Sequence, residues 1–547
     1  MRFSIYYAND AFTFKNKVMG RQSAGKSFLT GFLKYNESKD INALGQSSED
    51  GHAMKRLLSE AGFIGQLKWS NLPSIESALE TGVLYYPAPT PKEFAYLRNR
   101  QRMGGVSLMG VTHTLSSIAA LEQIADLACF PFRPWDALIC TSQAAKTLVV
   151  NLQSSVKEYL RENTGASMFS DLQLPVIPLG VNAQEFVRSE EQQSQAKQEL
   201  GIQKGSIVFL FAGRLSFHAK SNPAPMYQAL QAISKSHDIV CIEAGQFPNP
   251  AVRLAYEEAQ KAMASNVKFI WVDGADEARY KKAWQCADIF VSLSDNVQET
   301  FGITPLEAMA SGIPVVVSDW DGYKDTVRDG VDGFRVPTVL PPQGFGADLA
   351  LCHSIGAISY DHYIGRVSMA TVIEPKALQN AFSLLAGDEA LRKKMGRSAR
   401  QRVLTTYDWS VILPQYERLA GELSEIREAE NTSQATNWPA RKDPFELFEH
   451  FSTHTLQGNW SVEPVIEKFQ DAQEQLEHLI SLSMLNYSLQ PKLEARQQLQ
   501  KLLLFVSEHP GLLVNELLER TSLAHPLGVR GLMWLWKFNF VSLQTKI

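Results

Sequence analysis

Two acidic residues, Glu299 and Glu307, stand on either side of the run Phe301-Gly302-Ile303-Thr304, inside the stretch Ser294–Thr326. The spacing predicts a short helix over Pro305–Ser311. Thr304 is a good N-cap, Pro305 suits the first helical position, and Glu307 completes a capping box with Thr304. Gly312 is a natural residue just past the helix end, and Pro314 stops it. The N-terminus of that helix then points at the loop Glu299–Ile303. Its free N–H groups, with Gly302 letting the backbone come close, make an anion site. An anion site flanked by two carboxylates suits a molecule with phosphate at one end and hydroxyls at the other, as in a sugar nucleotide. Two plainer readings stay open: Glu307 as only the capping partner of Thr304, and Glu299 as an ordinary exposed acid.

A second cluster lies upstream. Phe209–Lys220 reads as a buried strand, then Gly213, then Arg214 and Lys220 in the loop that leaves the strand. Two cations at the carboxyl end of a strand, opposite a helix N-terminus, can hold a diphosphate without a metal. Arginine supplies a bidentate fork and lysine a point charge. A solvated basic loop is the competing reading, weakened by the buried strand and glycine directly before the pair.

The elements that must position these residues follow from the pattern of apolar runs. Ser206–Ala212 is continuously apolar, as in a strand buried on both faces. Asp238–Gly245, Val267–Val272, Ala287–Leu293 and Ile313–Ser318 are further expected strands with helical stretches between them. Residues 1–190 show the same alternation, with strands at the N-terminus, Gly105–Thr114, Trp135–Ser142 and Leu174–Val181. Alternating strands and helices imply parallel, doubly wound sheets. Two such halves suggest two Rossmann-like domains facing each other across a cleft, with ligands at the carboxyl ends of the strands. Arg400–Leu423 reads as a closing helix pair, and residues 338–375 as a loop-rich insertion of unread role.

Composition bounds the class. At 547 residues, about three or four domains of ~150 residues are expected. The 45% hydrophobic and 20% charged fractions are those of a globular protein. Fifty-three Lys and Arg against 58 Asp and Glu give a net charge of −5, which speaks against a polyelectrolyte binder of nucleic acid. No apolar run approaches the ~20 residues of a membrane span, and the N-terminus lacks a secretory signal pattern. Five scattered cysteines without CxxC spacing argue against a disulfide framework or zinc cluster and favour a cytoplasmic setting.

Together the motifs resemble the retaining family-4 glycosyltransferases of the GT-B fold. The resemblance rests on Gly213-Arg214-Leu215 with Lys220, on Glu299-x7-Glu307 with Phe301-Gly302, on Pro178-Leu179-Gly180-Val181-Asn182, and on Tyr407-Asp408-Trp409. It covers roughly residues 1–425. It implies an N-terminal acceptor domain over 1–190 and a nucleotide-sugar domain with closing helices over 191–425. Arg214 and Lys220 would grip the donor diphosphate, Glu299 would touch the sugar hydroxyls, and Glu307 would touch the ribose hydroxyls. The backbone of Phe301, Gly302, Ile303 and Thr304, with Gly213, would line the donor, and His113 would stand near the donor sugar. No metal and no cofactor are implied beyond the nucleotide-diphosphate sugar as co-substrate. The chain departs from the family pattern in the longer loop between Arg214 and Lys220. It departs again at Asp321-Gly322-Tyr323-Lys324-Asp325, where Gly-Gly and Glu are usual.

Gly20-Arg21-Gln22-Ser23-Ala24-Gly25-Lys26-Ser27 matches a phosphate-binding P-loop, but the polar residues before it are no buried strand, and no Walker B aspartate follows. Within the glycosyltransferase reading, Gly20, Ala24 and Gly25 form a glycine loop after the first strand, with a helix beginning near Lys26. A linker is expected over 426–443, and a mainly helical accessory domain over 444–547. Gly511–Leu543 resembles a winged helix. Its ten Lys or Arg against twelve Asp or Glu over 441–547, −2, do not make a nucleic-acid face. A self- or protein-association module is expected instead, with Trp534 and Trp536 in a core or interface. His450 and His454 lack a third ligand for a metal. The expected activity is sugar transfer to an unidentified saccharide, lipid or protein acceptor. The alternatives are another GT-B enzyme (epimerase or phosphorylase) and a non-enzymatic regulator.

Overall fold

The computed structural model describes residues 2–8, 12, 20–36, 40–100, 105–129, 131–430, 439–486, 492–523 and 525–545. The chain divides into two compact units, Met1–Asn437 and Trp438–Ile547.

The first unit is built on two six-stranded parallel sheets. The first contains β1 (Ser4–Tyr6), β2 (Asp40–Gly45), β3 (Gln66–Asn71), β4 (Val83–Tyr85), β5 (Ser107–Val111) and β6 (Ala137–Ile139), in the order β3-β2-β1-β4-β5-β6. The second contains β7 (Ile207–Ala212), β8 (Ile239–Gly245), β9 (Lys268–Asp273), β10 (Ile289–Ser292), β11 (Val315–Ser318) and β12 (Gly333–Val336), in the order β12-β11-β10-β7-β8-β9. Both sheets therefore reverse direction once, between β1 and β4 and between β7 and β10. At such a switch point neighbouring crossovers leave to opposite faces and open a crevice above the carboxyl ends. The central strands β7, β8 and β10 are buried along their whole length, which accounts for their largely apolar sequence; the one charged residue among them, Glu243 of β8, accepts from the Tyr227 hydroxyl and Gln260 Nε2. With helices on both faces of each sheet, this is the α/β GT-B architecture expected from the sequence.

Several local expectations need correction. Helix α1 spans Gly20–Tyr35, so Gly20, Ala24 and Gly25 are helical and form no loop. Gly25 costs about 1 kcal/mol within a helix, but Phe28, Leu29 and Phe32 of the same helix pack into the core of the first sheet. The P-loop reading fails with it. Leu174–Val181, expected as a strand, makes only isolated bridges, Val176 to Cys140 and Val181 to Asp408, with Gln173 bridging to Ala137 just before it. Pro175 and Pro178 cannot donate to a ladder, which prevents a regular strand.

Helix α2 (Gln143–Thr164) follows β6 and is capped by Ser142. Helix α3 (Ile303–Ala310) follows β10. The insertion after β12 forms β13 (Thr338–Val339), α4 (Ala347–Ser354), α5 (Tyr360–Met369) and β14 (Val372–Ile373), with β13 and β14 antiparallel. The closing helix α6 (Trp409–Ala429) runs into the expected linker. Its apolar face, with Trp409, Ile412, Leu413 and Tyr416, completes the core of the first sheet rather than the second. Trp409 Nε1 donates to Ser27 Oγ of α1 at 2.9 Å. A Cβ on Gly31 would lie 2.2 Å from the Trp409 ring, so the close approach of α6 depends on that glycine.

The second unit joins three antiparallel strands, β15 (Trp460–Pro464), β16 (Leu512–Leu513) and β17 (Val541–Thr545), in the order β16-β15-β17. They pack with α7 (Lys492–Glu508), α8 (Val514–Thr521) and α9 (His525–Lys537). Its core includes Leu502, Val506, Leu517, Leu535 and Trp534, with Trp536 packed against it.

Candidate functional site

The donor-side residues meet at the switch point of the second sheet. Strand β7 ends at Ala212 and is followed by Gly213. A Cβ on Gly245, at the end of β8, would come within 1.8 Å of the Gly213 carbonyl oxygen. Glycine at that position lets the two exit loops run side by side. The β7 loop carries Arg214 and Lys220, and the loop after β10 carries Gln298, Glu299 and Thr300. The two loops interlock. Arg214 Nη2 donates to Gln298 Oε1 at 2.6 Å and to the Ala219 carbonyl at 3.1 Å. Lys220 Nζ forms an ion pair with Glu299. Asn296 Nδ2 donates to the His218 carbonyl at 2.8 Å.

Glu299 is under opposing influences. Burial pushes its carboxyl up. The Lys220 charge and hydrogen bond, with the N–H groups of Phe301 and Thr300, outweigh burial and hold it below the usual carboxylate value.

The N-terminus of α3 differs from expectation in a way that bears on the site. The N-cap is Gly302, with φ 80°, and the first helical residue is Ile303. A left-handed φ favours glycine, and a Cβ there would also lie 2.0 Å from Tyr323 Cε1. Pro305 stays within the first turn, where a backbone N–H has no intrahelical acceptor and its absence costs nothing. Thr304 is inside the helix, so the expected capping box with Glu307 does not form. Thr304 Oγ1 is buried with no hydrogen-bond partner among the described residues. Glu307, one turn further in, is released from capping. Burial and then the Glu185 charge push its carboxyl up to about 7, against the lowering pull of Lys220.

These groups share one cleft of about 1640 Å³. Gly213, Arg214, Lys220, Glu299 and Glu307 line it, as do Phe301, Gly302, Ile303 and Thr304. His113, in the loop after β5, and Ala24 and Lys26 of α1 line it from the facing half. Gly25 is buried in α1 instead. Thus every expected donor residue reaches the cleft, and Ala24 reaches it from a helix rather than a loop.

Contacts between the halves flank the cleft. Thr300 Oγ1 donates to the His113 carbonyl. Ser142 Oγ donates to the Thr300 carbonyl and to Asp321 Oδ1, both at 3.3 Å. The Gln143 N–H donates to Asp325 Oδ2 at 2.6 Å. Asp321 has φ 41°, a left-handed value for a non-glycine residue. Burial and then the Glu299 charge raise its carboxyl to about 7. Sequence reasoning passed over Gln298, Asp321 and Ser142. Only the departure at Asp321–Asp325 from the family pattern signalled one of them. Tyr360, from the insertion, also lines the cleft, and nothing in its local sequence announces it.

The arrangement offers fixed positive charge and helix-end N–H groups at one end and two carboxylates beside them. It can bind an anion that carries hydroxyls and stabilise charge growing on that anion. Among the described residues, no group of three or more His, Cys, Asp or Glu is placed to hold a metal ion. No helix of the described residues is long and apolar enough to cross a membrane.

Comparison with known proteins agrees with this geometry. Residues 192–349 match the family model described as glycosyl transferases group 1. An uncharacterised glycosyltransferase of Methanocaldococcus jannaschii is 29% identical over 208 residues, 37% of this chain and 50% of that protein. A phosphatidyl-myo-inositol mannosyltransferase of Mycobacterium tuberculosis is 27% identical over 257 residues, 46% of this chain and 56% of that protein. The chain thus spans about half the length of these curated relatives. In fold it is similar to Anabaena HepE, solved with UDP, at a TM-score of 0.51 and 16% identity, covering 77% of this chain and 100% of that one. Residues 192–349 are a group 1 glycosyl transferase domain, carried on a GT-B fold.

Proposed function

We propose that the chain is a retaining glycosyltransferase of the family-4 type. It moves a sugar from a nucleotide-diphosphate donor to a hydroxyl of an acceptor held by the first half. The observation that carries this reading is the convergence of Arg214, Lys220 and the N-terminal end of α3 with Glu299 and Glu307 in one cleft. In this reading Arg214 and Lys220 grip the diphosphate and no metal is needed. Lys220 exchanges Glu299 for phosphate oxygen, and the freed Glu299 accepts from the sugar hydroxyls. Glu307 accepts from the ribose, and the Gly302–Thr304 backbone lies along sugar and phosphate. As the C1–O bond breaks, charge collects on the leaving diphosphate. The cations and helix-end N–H groups stabilise it more there than in the bound donor, which is what lowers a barrier. No side-chain nucleophile is assigned. A donor phosphate oxygen takes the acceptor proton, and His113 stands at the sugar end.

By name, the mycobacterial relative transfers mannose to phosphatidyl-myo-inositol. A lipid is accordingly one acceptor class to test beside saccharides and proteins. The α7-β16-α8-α9-β17 order of the second unit supports a winged-helix-like module, proposed as a site of protein or self-association. The five free cysteines fit a reducing cytoplasm. The experiment is turnover of UDP-, GDP- and ADP-sugars, with the anomer of the released or transferred sugar read by NMR. Release of one nucleoside diphosphate with retained anomeric configuration supports the reading. Inversion would overturn retention, and no turnover of any donor would count against transfer.

A further inference from the structure

Beyond Ile373, the insertion of residues 338–375 adds little to the core. Phe345, Leu351 and Ile355 are exposed, and on α5 only Ile364 and Ser368 are buried. What the insertion does is lay α5 over the loop that carries Arg214 and Lys220. Asp361 Oδ2 lies 3.9 Å from His218 Nε2. Asn222 Nδ2 is 3.3 Å from Met369 Sδ. A Cβ on Gly365 would be 3.1 Å from the Cβ of His218, a fit that any larger residue would disturb. The helix is packed against this loop along most of its length.

At the N-terminal end of α5, Tyr360 enters the cleft. Its hydroxyl is 2.7 Å from Ser116 Oγ of the first half and accepts from Gln298 Nε2 at 3.3 Å. The other end of the same amide, Gln298 Oε1, accepts from Arg214 Nη2 at 2.6 Å. Four side chains from both halves and the insertion therefore form one continuous relay, Ser116–Tyr360–Gln298–Arg214. A primary amide that accepts through oxygen and donates through nitrogen has its orientation fixed only when both ends are engaged. Without the Tyr360 hydroxyl, the Gln298 amide loses one of its two anchors, and Arg214, which keeps the Ala219 carbonyl, loses part of what aims its guanidinium.

We infer that Tyr360 is a positioning residue for the donor diphosphate, supplied by the insertion, which orients Arg214 through Gln298 and ties that orientation to closure against Ser116. This rests on the proposed function, and it assigns the insertion a role in donor grip. Tyr360 is assigned no contact with the phosphate or the reacting carbon. Its influence runs through hydrogen bonds whose net worth is modest each but coupled along the relay.

The test is titration calorimetry of the full chain with UDP, GDP and ADP, carrying forward the diphosphate that binds wild type most tightly. Tyr360→Phe keeps the ring and removes one hydroxyl. It is expected to weaken that diphosphate about three- to tenfold with an unchanged thermal midpoint. Gln298→Leu is expected to weaken it as well. Adding Tyr360→Phe to Gln298→Leu should cost nothing further, because residues acting through one another are not additive. Ser116→Ala cuts the relay from the other end and serves if Tyr360→Phe proves unstable. Its expected effect is a smaller loss in the same direction. Binding by wild type with Tyr360→Phe within twofold of it, or penalties that add in the double variant, would overturn the inference alone. Binding of no nucleoside diphosphate by wild type would overturn the proposed function along with it.

Discussion

Lys220 and Glu299, on exit loops of two adjacent strands of the second sheet, form an ion pair in the cleft, with the lysine side chain 20% exposed and the glutamate 11%. A charge this enclosed is neutralised before it meets a ligand, so diphosphate must compete with a carboxylate for the ammonium. Glu299→Gln is therefore expected to tighten binding of a bare nucleoside diphosphate, since Lys220 keeps its full charge for phosphate. The same change should slow sugar transfer at least tenfold, because the carboxylate proposed to accept from the sugar hydroxyls is gone. Calorimetry beside a turnover assay reads both, and a fall in both would mean that the pair is structural.

Gly302→Ala strains α3 at its N-cap. A left-handed φ costs a residue with a Cβ about 1–2 kcal/mol, and the Cβ would stand 2.0 Å from a Tyr323 ring that is fully buried. Tyr323 is held by a 2.7 Å hydrogen bond to Ser292 and cannot retreat cheaply. Urea unfolding should show a loss larger than the φ cost alone, together with weakened nucleotide binding. Wild-type stability in this variant would contradict the α3 geometry.

Glu307 makes stability depend on pH. Its carboxyl is raised from 4.5 to about 7, so between those values the folded chain holds a proton that the unfolded chain has lost. Stability then falls as pH rises through that window and is level above it. Asp321, raised from 3.8 to about 7, adds a loss of the same sign. Glu307→Gln should flatten part of the slope in thermal midpoints measured across the window, leaving the shares of Asp321 and of Glu243 and Asp295, whose buried carboxyls are likewise raised to about 7. An unchanged slope would show that Glu307 titrates normally.

The first half carries its own buried pair. Arg98 and Asp136, with side chains 3% and 1% exposed, are joined at 2.6 Å, and Asp136 also accepts from the N–H groups of Leu108 and Arg133. Removing one partner strands a buried charge and two donors. Asp136→Ala should cost about 3–5 kcal/mol, read as a drop in the denaturant midpoint.

The strands of the second sheet are legible in the sequence because β7 is an unbroken apolar run and β8 and β10 are predominantly apolar, each bounded by polar loops. Arg214, Lys220, Glu299 and Glu307 were legible because each follows directly on one of those strands or on the helix after β10. The N-cap was misread: Thr304 and Glu307 satisfy the capping-box pattern, while the left-handed Gly302 and the neighbouring Tyr323 ring decide where the helix begins. Chain order puts Trp409 with the second half, whereas its packing on Gly31 is a tertiary fact. Tyr360 was invisible for the same reason, since an insertion's destination is set by what it packs against.

The central claim is that Arg214, Lys220 and the end of α3 hold a nucleoside diphosphate. The most direct measurement is the thermal shift of wild type and Arg214→Ala with UDP-, GDP- and ADP-sugars. At a hundredfold excess over Kd, binding stabilises by about 2.7 kcal/mol. The expected result is that one nucleotide class raises the wild-type midpoint and that Arg214→Ala loses most of the gain. Equal stabilisation of both proteins, or of neither, would contradict the account.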